Sequence, residues 1–358
     1  MTETDTFLKD LWYGALPAAE LKTGKLVRRI IMGQPILFGR EGDGTPFALR
    51  DICPHRGIPL TAGRMVNGAR EVECAYHGWR FGAHGRCTAI PSLVEGQEMD
   101  IARIRVRKYP VQEKNGLIWV FMASGPVEGP QLADATPEPA FDAPDIPGAG
   151  GRGPNFTYVV TFDCNIDNAI LGLMDPAHGP YVHQSWYWRT SKSTYDKSKR
   201  FAPTDLGWVM LSHAPSSNSA AYKILGGQPV TEIKFLLPGI RTEHIQVGKR
   251  FVTSLTMVTP IEESRTQVIQ MLFWDHPVLS VLKPALSFFS RAFLDQDKRI
   301  IRKQNEGLKF DPRLMLIPDA DTQARWYFRS KKAWAEAEGD PQRFDHPLKE
   351  ETTLRWRS

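Results

Sequence analysis

Two short stretches decide how this chain reads: Cys53-Pro54-His55-Arg56-Gly57-Ile58-Pro59-Leu60-Thr61-Ala62-Gly63 and, with eighteen residues between His55 and its first cysteine, Cys74-Ala75-Tyr76-His77-Gly78-Trp79-Arg80-Phe81-Gly82. Taken singly, a cysteine serves as a small core residue and a histidine as a satisfied polar group. Two Cys-plus-His pairs on two loops are harder to dismiss and point to metal. Two cysteines and two histidines also satisfy tetrahedral zinc. The short Cys-to-His spacing suits ligands that diverge to different metal ions, and Gly57, Gly63, Gly78 and Gly82 let the loops wrap a cluster closely.

Working outward, the flanks of these loops are β-rich at 26–31, 35–39 and 116–121, with turn signals at Gly42-Asp43-Gly44 and Asn67-Gly68. Residues 1–124 therefore read as a small all-β domain. Seven prolines (126, 130, 137, 139, 144, 147, 154) and the run Gly148-Ala149-Gly150-Gly151 follow, so 125–155 is expected to be a connection. Beyond it, strands are expected at 157–162, 231–237, 251–259 and 267–274. The period then changes to that of a helix from about 281 to 304, with a polar, charged tail after it. Residues 156–358 thus read as an α+β domain, a long helix packed on an antiparallel sheet, with room for a ligand between them.

The 358 residues allow about two domains. With 42% hydrophobic and 24% charged residues the chain is ordinary for a folded protein. Its net charge of +5 is scattered, which argues against a nucleic-acid partner. The acidic, polar start Met1-Thr2-Glu3-Thr4-Asp5 lacks an export pattern, so a cytoplasmic location is expected. Four cysteines are then thiols or metal ligands. The apolar stretch 277–294 is interrupted by Lys283, Pro284 and Arg291 and reads as a helix of a soluble domain, with no membrane partner expected.

The motifs CPHRGIPLTAG (53–63) and CAYHGWRFGAHGRCTAIPS (74–92) resemble the cluster loops of Rieske [2Fe–2S] domains in the ring-hydroxylating oxygenase family. The resemblance implies that Cys53 and Cys74 hold one iron and His55 and His77 the other. Ala75 departs from the usual proline, at a position that is not a ligand. Cys87 and Cys164 read as packed thiols, and His84 as a loop residue.

A second constellation lies in Asp175-Pro176-Ala177-His178-Gly179-Pro180-Tyr181-Val182-His183. Histidines five apart point about 140° away from each other on a continuous helix, so the Gly179-Pro180 step must break it for both rings to converge. Alone, His-x4-His is a weak signal. After a Rieske-like domain, its Asp-x2-His-x4-His order is similar to the mononuclear iron motif of the same oxygenases. Two histidines and one carboxylate leave open positions on Fe(II). Along the late helix, Phe289, Phe293, Asp297, Ile300 and Gln304 form an expected inward stripe, which favours Asp297 as third ligand over Asp295, itself expected to pair with Arg299. Asp175 reads as an N-cap before Pro176. The resemblance adds a catalytic role, a bridge between an iron histidine and a Rieske histidine of a neighbouring subunit. Relatives carry a polar residue a few positions earlier, where this chain has Leu171, Gly172 and Leu173.

The resemblance spans nearly the whole chain and implies the catalytic α subunit of a Rieske non-haem iron oxygenase: a Rieske domain joined to a helix-grip domain, assembled as a head-to-tail homotrimer. Each subunit would hold one [2Fe–2S] cluster and one mononuclear Fe(II). Electrons would come from NAD(P)H through a ferredoxin, a flavin reductase or both, since the chain shows no dinucleotide fingerprint of its own. Its single-chain length is similar to the vanillate demethylase and dicamba monooxygenase group, which favours monooxygenation of an aromatic or related small molecule, by hydroxylation or oxidative O- or N-demethylation. The alternatives are a ring-hydroxylating dioxygenase, a Rieske electron carrier fused to a non-catalytic ligand-binding module, and a zinc-stabilised regulatory protein. The pocket is expected to be lined around Leu255, Met257, Met271 and Phe273, with Trp186 or Tyr187; a substrate carboxylate would meet Arg241 or His244.

Overall fold

Among the described residues, eleven strands between Trp12 and Phe121 and eight between Phe156 and Arg357 account for the β-rich patterning, and they fall into two compact units, Lys9–Pro144 and Asp145–Ser358, the second also taking in Leu8. The computed structural model describes residues 7–129, 132, 138–184, 194–215 and 225–358. Trp186 and Tyr187 lie outside the described residues, as do Pro130 and Pro137 of the 125–155 segment, within which the division at Pro144 falls.

The first unit contains three small antiparallel sheets. One pairs β1 (Trp12–Pro17), β11 (Leu117–Phe121) and β10 (Val111–Lys114). A second runs β2 (Val27–Ile31), β3 (Gln34–Arg40), β4 (Pro46–Arg50) and β9 (Lys108–Tyr109). The third, β5 (Arg64–Val66), β6 (Glu71–Glu73), β7 (Arg80–Gly82) and β8 (Cys87–Ala89), carries the Cys/His loops at its ends. Its strands are too short to be stable alone. They gain their hold from a core in which Leu37, Leu49, Leu60, Val72 and Phe81 are fully buried.

The second unit is built on an eight-stranded antiparallel sheet. Its strands are β12 (Phe156–Phe162), β13 (Asp196–Thr204), β14 (Gly207–His213), β15 (Val230–Leu236), β16 (Ile240–Val247), β17 (Arg250–Glu262), β18 (Arg265–Trp274) and β19 (Thr352–Arg357). From β13 to β18 each strand pairs with the next; β12 closes one edge against β18 and β19 closes the other against β13.

Helices α1 (Ile166–Met174), α2 (Gly179–Val182), α3 (Pro277–Val281), α4 (Lys283–Leu308) and α5 (Thr322–Glu336) complete the unit, giving the expected α+β architecture. The stretch 277–294 resolves into two helices because Pro277 and Pro284 each open one, in the first turn where a missing N–H costs nothing. No described helix is long and apolar enough to cross a membrane.

The expected polar tail is corrected. Residues 322–336 form α5, which buries Trp326, Tyr327, Ser330 and Trp334 along one stripe, and the segment after it adds a strand to the sheet. Trp326 meets Phe201 and Trp208 edge-on, at ring separations of 5.6 and 5.5 Å, and Tyr327 meets Phe235 at 6.1 Å. Aromatic contacts of this kind contribute about 0.5–1.5 kcal/mol each beyond their buried area.

Candidate functional site

The two Cys/His loops have the same backbone plan. Cys53 donates its N–H to the Ile58 carbonyl (2.8 Å) and its carbonyl accepts from Gly57 (2.9 Å); Cys74 does the same with Trp79 (2.8 Å) and Gly78 (3.1 Å). Gly57 and Gly78 take φ of +73° and +69°, the left-handed conformation in which a side chain would be strained. The first loop is pinned by the fully buried Asp51 carboxylate, which accepts from the Thr61 N–H (2.7 Å) and hydroxyl (2.6 Å). The second is pinned through Glu73, held by Arg64 at 2.7 Å and Arg80 at 2.9 Å; these partners keep its carboxyl below the usual range.

The four predicted donors form two pairs across the loops, His55 with His77 and Cys53 with Cys74. The His55 and His77 rings are 4.5 Å apart, and the Trp79 indole stacks on His55 at 4.6 Å and 3°. Burial, and then the Cys74 thiol beside it, push the Cys53 thiol up to about 11. Desolvation, then His77 and Arg56, hold His55 below the ordinary histidine range. His55 Nδ1 is buried and has no hydrogen-bond partner among the described residues. An orphaned imidazole nitrogen next to paired thiols fits a cluster whose irons displace the thiol protons. Cys87 and Cys164 are buried free thiols, with burial pushing Cys164 up to about 12. His84 accepts the Arg86 N–H at 3.1 Å in its loop.

In the second unit, His178 and His183 flank the single turn of α2, one at its N-cap and one at its C-cap. The Gly179-Pro180 step therefore lies inside a helix too short to turn the rings apart. Their Nε2 atoms stand 3.1 Å from each other. Asp297 Oδ1, on α4, is 3.2 Å from His183 Nε2 and 3.7 Å from His178 Nε2. The three side chains are a potential metal triad, all ligand atoms lying within 4.8 Å. Bonds of about 2.1 Å at near-right angles put neighbouring donor atoms roughly 3 Å apart, so the spacing suits one small cation.

The protons support the same fit. His183 Nδ1 faces Gln296 Oε1 at 2.9 Å and must donate to it; His178 Nδ1 faces Asp175 Oδ2 at 3.4 Å. With the outer nitrogens protonated, two imidazole lone pairs and a carboxylate oxygen converge, which is unfavourable without a cation between them. Burial opposes charge on His178, but Asp175 and Asp297 outweigh it and raise its pKa; burial likewise opposes charge on Asp175, and His178 outweighs it. Phe293 stacks on the His183 ring at 3.6 Å.

Several details differ from expectation. Asp175 is the C-cap of α1, its N–H bonded to Leu171, and its carboxylate accepts the Ala177 N–H at 2.7 Å, because Pro176 starts a turn instead of a helix. Asp295 accepts from the Tyr158 hydroxyl at 3.1 Å in place of an Arg299 pair. The inward stripe of α4 runs through Leu294 and Ile301, whereas Ile300 and Gln304 are exposed. Gln296 is missed by sequence reasoning, since a glutamine beside an aspartate on a polar helix carries no signal.

A cavity of about 770 Å³ opens beside the three residues, with Asp175, His178, His183 and Asp297 in its wall. Sheet pleating sets the rest of the lining. Val252, Ser254 and Thr256 of β17 and Gln270 and Leu272 of β18 face it. Leu255, Met257, Met271 and Phe273 do not: they alternate with these residues, are at most 2% exposed and form core. Arg241 lines the cavity beside Glu243 (3.1 Å), whereas His244 points to the other face and meets Thr253 at 2.8 Å.

Residues 11–110 match the Rieske [2Fe-2S] domain model, and residues 162–337 match the vanillate O-demethylase oxygenase C-terminal domain. The chain is 32% identical over 272 residues to the dicamba O-demethylase oxygenase component of Stenotrophomonas maltophilia, covering 72% of this chain and 71% of that protein. It is 32% identical over 188 residues to the chloroacetanilide N-alkylformylase oxygenase component of Rhizorhabdus wittichii, covering 50% of this chain and 47% of the relative. The fold is similar to that of dicamba monooxygenase bound to dicamba, with a TM-score of 0.74 over 93% of this chain and 98% of that one, at 22% identity. At that identity the structural likeness speaks for the fold alone.

Proposed function

The chain belongs to the Rieske non-haem iron oxygenases, and from that premise we propose that Cys53 and Cys74 hold one iron of the [2Fe–2S] cluster, His55 and His77 the other, and His178, His183 and Asp297 the mononuclear iron. The chain is the terminal oxygenase of a system in which an electron-transfer partner supplies electrons. A ferredoxin, a flavin reductase or both would relay them from NAD(P)H. When bound, the two centres supply one-electron transfer and dioxygen activation.

The function best supported is monooxygenation of a small organic molecule, by hydroxylation or by oxidative removal of an O- or N-methyl group. The observation that carries it is the convergence of His178, His183 and Asp297 within 4.8 Å at the wall of a large, mainly apolar cavity. The demethylase and N-alkylformylase relatives support the choice of reaction.

The chain's own side chains hold and orient the reacting parts. Gln296 fixes the His183 ring through Nδ1, leaving Nε2 free for metal. Asp175 does the same for His178 and is proposed to continue toward a Rieske histidine of a neighbouring subunit in a homotrimer, so that electron arrival and protonation are linked. Phe293, stacked on His183, and the buried Leu294 shield the triad's side of the cavity from water.

The test is oxygen uptake coupled to NADH through a reductase, with a panel of aromatic acids, methyl ethers and N-methyl compounds and formaldehyde as readout. Substrate-dependent uptake lost in His183→Ala, with the Rieske absorption intact, supports the assignment; retained turnover refutes it. Sedimentation analysis showing a monomer that turns over would refute the trimer.

A further inference from the structure

On the reading that this cavity receives the substrate, we propose that Gln270 anchors the substrate's polar end, and that this end is an uncharged group offering N–H beside C=O, an amide or lactam, in place of a carboxylate. Gln270 lies in the run Val268-Ile269-Gln270-Met271-Leu272-Phe273, the one polar residue among apolar neighbours on both faces of β18. Its side chain is 9% exposed, forms part of the cavity wall, and its Oε1 has no hydrogen-bond partner among the described residues. Such a group is unfavourable in a core unless something that enters the cavity satisfies it.

Register places more polar groups at the same level. Gln270 pairs across strands with Thr256, and Thr256 with Arg241, so a polar row crosses a wall that is otherwise largely apolar. The charge in this row is already matched, because Arg241 donates to Glu243 at 3.1 Å and both line the cavity. A carboxamide has one accepting and one donating end, and is complemented by a group that offers both. A carboxylate offers acceptors only and would leave the Gln270 Oε1 unpaired. The lysines in the wall are Lys197, whose ammonium donates to Ser358 Oγ at 2.8 Å, and Lys199, whose ammonium rests on the Ala214 carbonyl at 3.2 Å. Burial holds Lys199 below the usual lysine range.

The experiment reads binding without turnover. Oxidised, iron-loaded protein, with no reductant present, is titrated calorimetrically with 4-methoxybenzamide and 4-methoxybenzoate. The amide is expected to bind at least about tenfold more tightly, and Gln270→Leu to weaken amide binding about tenfold, the fold-change of one buried hydrogen bond, and benzoate binding by less. Gln270→Asn, which keeps the carboxamide but withdraws it, should weaken the amide in the same direction if the leucine variant does not fold. Benzoate binding equal to or tighter than the amide, absence of amide binding, or unchanged amide affinity in both variants overturns the proposal. Tight benzoate binding that Lys199→Met removes would assign the anchor to Lys199. Because no step reads catalysis, failure of the oxygenase reading shows up separately, as absence of formaldehyde and oxygen uptake.

Discussion

Gln296 Oε1 stands 2.9 Å from His183 Nδ1, on the same helix as Asp297 and one residue before it. One turn of α4 thus delivers both a carboxylate to the front of the metal triad and a carbonyl to the back of one of its histidines. Gln296→Leu removes the acceptor that keeps the proton on Nδ1. It is expected to weaken ferrous binding at the mononuclear site about tenfold or more, measured by chelator competition, with the Rieske absorption unchanged. Unaltered ferrous affinity would mean that stacking by Phe293 alone suffices to orient the ring.

Two carboxylates of α4 lie two residues apart and do different things. Asp297 Oδ1 is 3.2 Å from His183 Nε2, while Asp295 accepts from Tyr158 at 3.1 Å. Asp297→Ala should lower iron from about three to about two per chain. Asp295→Ala should retain all of it and cost about 1 kcal/mol in a urea melt, the value of one exposed-side hydrogen bond. Iron loss in the second variant and not the first would exchange the two roles.

The parts of the site that are legible in the sequence are those whose geometry is local. Cys53 and His55, and Cys74 and His77, each stand on one loop closed by a left-handed glycine, so residue type and spacing suffice. His178 and His183 are legible for the same reason, through the Gly179-Pro180 break. Asp297 is read from helical period, although the stripe itself passes through Leu294 and Ile301. The pocket wall is misread because a strand buried on both faces has no hydrophobic alternation to reveal which parity faces the ligand. In β18 the sign was Gln270, the polar exception. The strands β13, β16 and β19 carry charges such as Lys197, Lys199, Arg241, Glu243 and Arg355 that mask their β pattern, and α5 reads as a tail because its buried aromatics stand among lysines and arginines.

Tyr109 sets an alkaline limit on the first unit. Its side chain is fully buried, its hydroxyl meets Gln34 Oε1 at 2.6 Å, and burial pushes its pKa up to about 12 from an ordinary 10.0. The folded state favours the neutral phenol, so this stabilisation is fully present below pH 10 and is lost as pH rises through 12. The change should amount to about 2–3 kcal/mol. Urea melts of the wild type should therefore fall faster than those of Tyr109→Phe across that window, and parallel curves would rule the mechanism out.

The parity of β18 separates stability from substrate choice at adjacent residues. Phe273 is 2% exposed and faces away from the cavity, whereas Leu272 is half-buried and lines it. Phe273→Ala leaves a void in close-packed core and should cost about 3–5 kcal/mol, with the ranking of substrates in an oxygen-uptake assay unchanged. Leu272→Phe adds volume where there is open space, so its cost should stay below about 1.5 kcal/mol. It should instead exclude the larger members of a methyl-ether panel while sparing the smaller ones. If Phe273→Ala altered substrate ranking and Leu272→Phe did not, the cavity would lie on the opposite face of the sheet, and the Gln270 anchor with it would be displaced.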